Sequence, residues 1–201
     1  MLTPSLPKIN WSGSSVEYNK PVVGLDRDGV INIDRGNYVW QINDFELIEG
    51  SLEAIADLRQ KGHKIAIITN QGGIEKGLFT QDDVDNLHNH LMKLLGEAGC
   101  PSIDALYYSA SSRKNDPWAK PNTGMFKRCE KEHPHIKFNQ GFYVGDKISD
   151  LKSAVKMNAT PILVRTGYGK ETEEKLKKFT YRELKRKTLV FDNLKHFVDS
   201  L

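Results

Sequence analysis

Asp26-Arg27-Asp28-Gly29-Val30 stands directly behind the apolar run Val22-Val23-Gly24-Leu25. Along an extended strand, side chains two apart point to one face, so Asp26 and Asp28 share a side. Carboxylates that close repel each other, and a divalent cation is the simplest compensation. Gly29 lets the chain turn sharply away. One carboxylate free to attack, a second to move protons and a bound metal are equipment for phosphoryl transfer through an aspartyl-phosphate. Asp-x-Asp-Gly also opens calcium loops and plain turns. A calcium loop of the EF-hand type continues with a further oxygen ligand and closes on Glu between two helices. Here an apolar run precedes, and Val30-Ile31-Asn32-Ile33 follows.

Apolar runs and amphipathic stretches alternate along the rest of the chain. Residues 21–26, 64–69, 103–109, 141–145, 160–165 and 188–191 read as strands. Residues 51–61 form a helix with Leu52, Ile55 and Leu58 on one face, stopped by Gly62. Thr80-Gln81-Asp82-Asp83 opens a long helix in capping style, with Val84, Leu87, Leu91 and Leu94 inward. Residues 123–132, those after Gly145 to about Asn158, and those up to Leu201 complete the helices. Strands apolar throughout, alternating with helices, predict an α/β fold: a parallel sheet covered on both faces. Ligands of such sheets sit beyond the carboxyl ends of the strands. Asp26 and Asp28, Thr69-Asn70-Gln71, Lys120, and Asp146-Lys147 all fall at that rim.

The chain has 201 residues, 38% hydrophobic and 27% charged, which suits one globular domain with a core. Residues 1–20 are polar and read as an arm, leaving residues 21–201 as the domain. A net charge of +3 is too small to argue for nucleic acid by itself. No run approaches a membrane span of roughly 20 apolar residues. Residues 1–20 lack the apolar centre of a signal peptide. Two cysteines, Cys100 and Cys129, lie far apart, so a reducing cytoplasm is the expectation.

Asp26-x-Asp28, Thr69, Lys120 and Gly145-Asp146-x-x-x-Asp150 together resemble the four-motif series of the haloacid dehalogenase superfamily. The match runs from about Pro21 to Arg165. Leu25 to Asn32, Phe45-Glu46-Leu47-Ile48, Thr69 to Ile74, Lys120-Pro121 and Val144 to Lys147 resemble the histidinol-phosphate and heptose-bisphosphate phosphatase group within it. Gly73 to Gly77 leans towards the heptose enzymes. The resemblance implies a Rossmann-like sheet without a large cap. It implies a Mg²⁺-dependent phosphomonoesterase acting on a small phosphorylated sugar, above all a heptose bisphosphate of lipopolysaccharide precursor synthesis. Histidinol phosphate and a polynucleotide 3′-phosphate are the alternatives with the same chemistry. A non-catalytic phosphate-binding protein is the alternative of another class.

Asp26 would then be the nucleophile, and Asp28 the acid and base, with its backbone carbonyl on the metal. Asp146 would ligate the cation, and Asp150 would bind through water or orient the other ligands. Thr69, Asn70, Gln71 and Gly72 would hold the transferring phosphoryl group. Lys120 would neutralise its charge, and Lys147 would contact substrate or the carboxylates. Blander readings exist for each: Thr69 as core, Lys120 as a turn lysine, Asp146 as a cap, Asp150 as an acid on a helix dipole.

The sequence departs from the group twice. The loop from Ser109 to Ala119 has neither cysteine nor histidine, so no structural zinc is expected. Ala119 stands where the group tends to have Arg before Lys-Pro, so Arg113 or Lys114 is the expected contact for a second phosphate. His88 and His90 point to different faces of a helix, and His133 and His135 read as surface groups. The basic run 170–187 reads as a solvated helix and loop. Asp34 to Tyr38 is expected beside the site.

Overall fold

The computed structural model describes residues 19–113 and 115–201. The expected N-terminal arm falls outside them, apart from Asn19 and Lys20, and Lys20 already opens the first strand. Lys114 also lies outside the described residues.

Six strands form one sheet, β1 (Lys20–Leu25), β2 (His63–Asn70), β3 (Ala105–Ser109), β4 (Phe142–Gly145), β5 (Thr160–Val164) and β6 (Leu189–Phe191). Their order is β3-β2-β1-β4-β5-β6 and every pairing is parallel. β1 is central, with Leu25 opposite both Ile67 and Val144. The order reverses between β1 and β4, and a crevice opens beyond such a point.

Alternation splits each strand between two apolar layers. Val23, Leu25, Ile65 and Ile67 pack with α1 (Ser51–Gln60), α2 (Gln81–Glu97) and α7 (Leu194–Asp199). Val22, Ala66, Ile68 and Tyr143 pack on the other side with α3 (Gly124–Glu132) and α4 (Ile148–Lys156). The connection from β1 to β2 holds a short 3₁₀ turn (Ile42–Asp44) and α1 but no inserted cap domain. No helix among the described residues is long and apolar enough to cross a membrane.

Gly62 takes φ +86° after α1, as its place in the sequence suggested. Thr80 and Asp83 close a reciprocal capping box at the start of α2. The inward face of α2 shifts by one residue at its end. Leu95, four after Leu91, is fully buried, whereas Leu94 is half-buried at the margin of the core. Residues 170–187 fall into two helices, α5 (Gly169–Leu176) and α6 (Arg182–Lys187), around a 3₁₀ turn at Phe179–Tyr181. Leu176 packs with Leu151 and Leu163, and Tyr181 and Leu184 lie against that cluster, so the basic run has an apolar underside.

Candidate active site

The site begins where β1 ends. Asp26 N donates to Val144 O at 2.9 Å, which fixes the first residue beyond the strand against β4. Asp26 Oδ1 accepts from Arg27 N at 2.8 Å and pairs with Lys120 Nζ at 2.9 Å. Lys120 Nζ also pairs with Asp150 Oδ1 at 2.8 Å and donates to Tyr143 OH at 2.9 Å. The tyrosine in turn donates to Ile68 O. Its ring needs Gly24, where a Cβ would come within 2.6 Å of it. Burial works against the Lys120 charge, but Asp150 and Asp26 outweigh it and hold the ammonium well above its ordinary pKa. Lys120 is therefore a fixed buried cation, not a turn lysine in solvent.

Asn70 sets the position of that lysine. Its Oδ1 accepts from Lys120 N at 2.9 Å and its Nδ2 donates to Lys120 O at 3.1 Å. The side chain expected on the phosphoryl group is thus engaged with the Lys120 backbone, fastening the β3–α3 connection to the end of β2. The Lys120-Pro121 peptide is cis.

Asp26, Asp146 and Asp150 each bring one carboxylate oxygen within 4.8 Å of the others. Asp150 is the most occupied: Oδ2 accepts from Lys147 N at 2.9 Å at the start of α4, while Oδ1 faces Lys120. It serves as helix acid and as lysine partner together. Asp146 Oδ2 accepts from Tyr168 N at 2.8 Å, but its buried Oδ1 has no hydrogen-bond partner among the described residues. Burial lifts the Asp146 carboxyl to about 8; Lys147 opposes the rise, and Asp150 and Asp26 add to it. Burial likewise raises Asp26, against the pull of Lys120. Glycines make room for this carboxylate: a Cβ on Gly29 would lie 2.2 Å from Asp146 Oδ2, and one on Gly167 2.3 Å. An oxygen-only donor set with an orphaned buried oxygen fits a hard divalent cation.

Asp28 turns its carboxylate elsewhere. Arg27 Nη2 donates to both its oxygens, at 2.9 and 3.0 Å, Asn32 Nδ2 donates to Oδ1 at 3.0 Å and Gln71 Nε2 to Oδ2 at 2.9 Å. Burial alone raises its pKa, but Arg27's charge and these hydrogen bonds reverse the sign and hold it below the ordinary value. Arg27 itself is fully buried, donating also to Val39 O at 2.8 Å and Gln71 Oε1 at 3.3 Å. His88 Nε2 lies 3.3 Å from Arg27 Nη1. Arg has donors only, so this nitrogen accepts and the imidazole is neutral. Sequence inspection missed Arg27, Asn32 and His88 as parts of the site. His88 is a poor joint ligand with His90, and it backs Arg27, the partner of Asp28, instead.

Thr69 Oγ1 accepts from Gln71 Nε2 at 3.1 Å, which places both beside Asp28. Gly72 allows close approach of the next loop, since a Cβ there would lie 3.0 Å from Ser112 Cα. Lys147 Nζ donates to Asp34 Oδ2 at 2.8 Å, which brings the segment after Asp28 to the rim, and stands 3.9 Å from Asp146 Oδ1. Arg113 Nε pairs with Glu75 Oε1 at 2.6 Å. Glu75 Oε2 accepts from Ser112 N at 2.7 Å, Ser112 Oγ at 3.0 Å and Ser111 Oγ at 3.1 Å, clamping one rim loop to the other. His133 and His135 meet ring to ring at 5.9 Å, away from this cluster.

A parallel sheet with a buried aspartate just beyond its central strand, a buried lysine on it and a carboxylate cluster from the next strand define the haloacid dehalogenase class of phosphatase. The profile of the polynucleotide kinase 3 phosphatase family matches residues 21–193. D-glycero-beta-D-manno-heptose-1,7-bisphosphate 7-phosphatase of Pseudomonas putida is 35% identical over 170 residues, 85% of this chain and 93% of that protein. Its Escherichia coli K12 counterpart is 35% identical over 156 residues, 73% and 80% of the two chains. The D,D-heptose 1.7-bisphosphate phosphatase of B. bronchiseptica, solved with magnesium and phosphate, superposes with a TM-score of 0.81 at 27% identity, over 90% of this chain and 97% of that one. The chain belongs to this family of haloacid dehalogenase-type phosphatases, hydrolases of phosphate esters.

Proposed function

We propose that the protein is a Mg²⁺-dependent phosphatase that removes one phosphate from D-glycero-D-manno-heptose 1,7-bisphosphate. The observation that carries the chemistry is the Asp26–Lys120–Asp150 arrangement beside Asp146. The names and extent of the relatives support the substrate.

Asp26 would attack phosphorus. Both its contacts fall on Oδ1, so Oδ2 is the attacking oxygen. The P–O bond to the sugar breaks, and the phosphoryl group rests on Asp26 until water displaces it. Asp28 gives a proton to the departing alcohol oxygen and takes one from that water. In the grip of Arg27 it is ionised, the form suited to the second step; delivering a proton in the first requires the carboxyl to leave Arg27. Lys120 holds Asp26 and neutralises phosphoryl oxygen charge, while Thr69 and the backbone of residues 70–72 line the same face. Asp150 positions Lys120. Asp26, Asp146 and the Asp28 carbonyl would hold the cation, whose charge polarises the phosphoryl group and offsets the carboxylates. Four carboxylates, Asp26, Asp34, Asp146 and Asp150, face only two ammonium groups, Lys120 and Lys147.

The deciding experiment is turnover of a panel: heptose bisphosphate, heptose monophosphates, histidinol phosphate and a 3′-phosphorylated oligonucleotide. Preference for the heptose bisphosphate is the expected result. The oligonucleotide enters because the matching family is named for a polynucleotide phosphatase. The loop residues that would serve such an end are engaged: Arg113 with Glu75, and Trp118 under the Arg128 guanidinium at 5.8 Å. We place the enzyme in the cytoplasm, in keeping with two buried free cysteines.

A further inference from the structure

The loops that follow β1 and β2 carry a wall of aromatic rings. Phe79 is buried, its ring lying where a Cβ on Gly73 would approach within 2.1 Å. Tyr38 meets it edge-on at 5.6 Å between centroids, and Trp40 stacks on it at 6.1 Å. The wall has a fixed back, and Tyr38 keeps 38% of its surface in solvent. Lys76 Nζ sits over the Tyr38 ring, 5.2 Å from the centroid. Attraction to the ring face holds an ammonium in such a place.

Both loops are tied to Asp28. Val39, next to Tyr38, accepts from Arg27 at 2.8 Å, and Arg27 grips Asp28. Gln71, at the start of the second loop, donates to Asp28 at 2.9 Å. That loop is then closed on itself by Gly77 N to Ile74 O and Leu78 N to Gly73 O, each 3.0 Å. The Tyr38–Lys76 pair is therefore built onto the site rather than hung loosely near it.

The charges at the rim single out Lys76. Arg35 pairs with Glu46, Lys147 with Asp34, Arg113 with Glu75, and Lys120 with Asp26 and Asp150. Lys147 and Lys120 also stand over rings, Tyr168 and Tyr143, but each pairs with carboxylates as well; among the described rim cations Lys76 has the ring without a carboxylate. An anion reaching it displaces no carboxylate, only the contact with the Tyr38 ring. An ammonium drawn off a ring face by an anion leaves that face to the C–H face of the sugar that carries the anionic substituent.

We propose that Tyr38 and Lys76 form the subsite for the second phosphate of a doubly phosphorylated sugar, Tyr38 taking the sugar face and Lys76 the charge. This rests on the sugar-bisphosphate reading above, and it moves selectivity from Arg113 to the loop after β2. The test compares kcat/KM for the heptose bisphosphate and a heptose monophosphate in wild type, Lys76→Ala, Lys76→Met and Lys76→Arg. A charged contact of this kind corresponds to roughly a tenfold to hundredfold change in affinity. Lys76→Ala and Lys76→Met are expected to lose that much of the preference for the bisphosphate, through KM, while Lys76→Arg keeps most of it. Tyr38→Ala should lose part. A wild type that prefers the bisphosphate, with Lys76→Ala keeping that preference, overturns the subsite alone. A wild type that makes no distinction overturns the subsite and the substrate reading together.

Discussion

At the scale of single residues, the two aspartates of the first motif have become chemically unlike. Asp26 is raised by burial and held by a lysine; Asp28 is lowered by an arginine and two amides. Asp26→Asn should abolish turnover with the fold intact, as checked by circular dichroism beside the assay, because the amide keeps the shape and loses the nucleophile. Asp28→Asn should cut kcat by roughly 10²–10⁴, the usual range for a general acid–base group. Aryl phosphates, whose leaving groups need no proton, should suffer least; equal losses on aryl and sugar phosphates would speak against the acid role. His88 gives a second test. Burial holds its pKa down, to about 3, with Arg27 adding to the effect. The unfolded chain takes up this proton near pH 6.5 and the folded chain does not, so stability from this group is present above 6.5 and lost as pH falls. By pH 5 the loss is about 2 kcal/mol. In denaturant unfolding, between pH 7 and pH 5 the wild type should lose about that much more unfolding free energy than His88→Gln, which accepts from Arg27 but does not titrate; the difference isolates the histidine from the raised Asp146, whose contribution has the opposite sign.

Among the elements, the strand ends do the positioning, and Asn70 shows how. It finishes β2 and holds both backbone groups of Lys120, so the placement of the buried ammonium depends on a neighbouring connection. Asn70→Ala leaves that buried backbone without partners, which costs about 1–3 kcal/mol. Unfolding free energy should drop by that amount and kcat should drop with it; an unchanged kcat would mean that Lys120 is held by its carboxylates alone. This division of labour marks what the sequence disclosed. The six strands, their parallel arrangement and the shared rim were readable because each rests on local periodicity and on motifs in order. What Asn70, Arg27, His88 and Glu75 do was not readable, because each acts on a partner distant in sequence. Arg113 illustrates the cost of that blindness: as a letter it is a free cation, and in the fold Glu75 engages it. The end of α2 shows a smaller version, where both Leu94 and Leu95 fit the pattern and only packing chooses Leu95.

For the molecule as a whole, the excess of buried carboxylates over lysines at the rim would make a bound cation a matter of stability as well as rate. Hydrolysis should stop with a chelator and return with Mg²⁺; full activity after exhaustive metal removal would sink the mechanism. Mg²⁺ at a hundred times its dissociation constant should also stabilise the fold by about 2.7 kcal/mol, visible as a rise in Tm without substrate. An unchanged melt would place the cation outside the Asp26–Asp146–Asp150 cluster. The sheet order has a consequence for the time at which a working enzyme exists. β1 leads into Asp26, the proposed nucleophile, and lies in the middle, yet its far neighbour β4 is not made until residue 145. A nascent chain therefore leaves the ribosome with the edge of its central strand uncovered, and Asp146 and Asp150 arrive later still. Pairings so distant in sequence are slow to form, and a bare edge invites contact with other chains. Ribosome-bound chains stalled before Phe142 should be captured by chaperones and should be insensitive to Mg²⁺, whereas chains stalled with the whole sheet outside the exit tunnel should escape capture and respond to the ion.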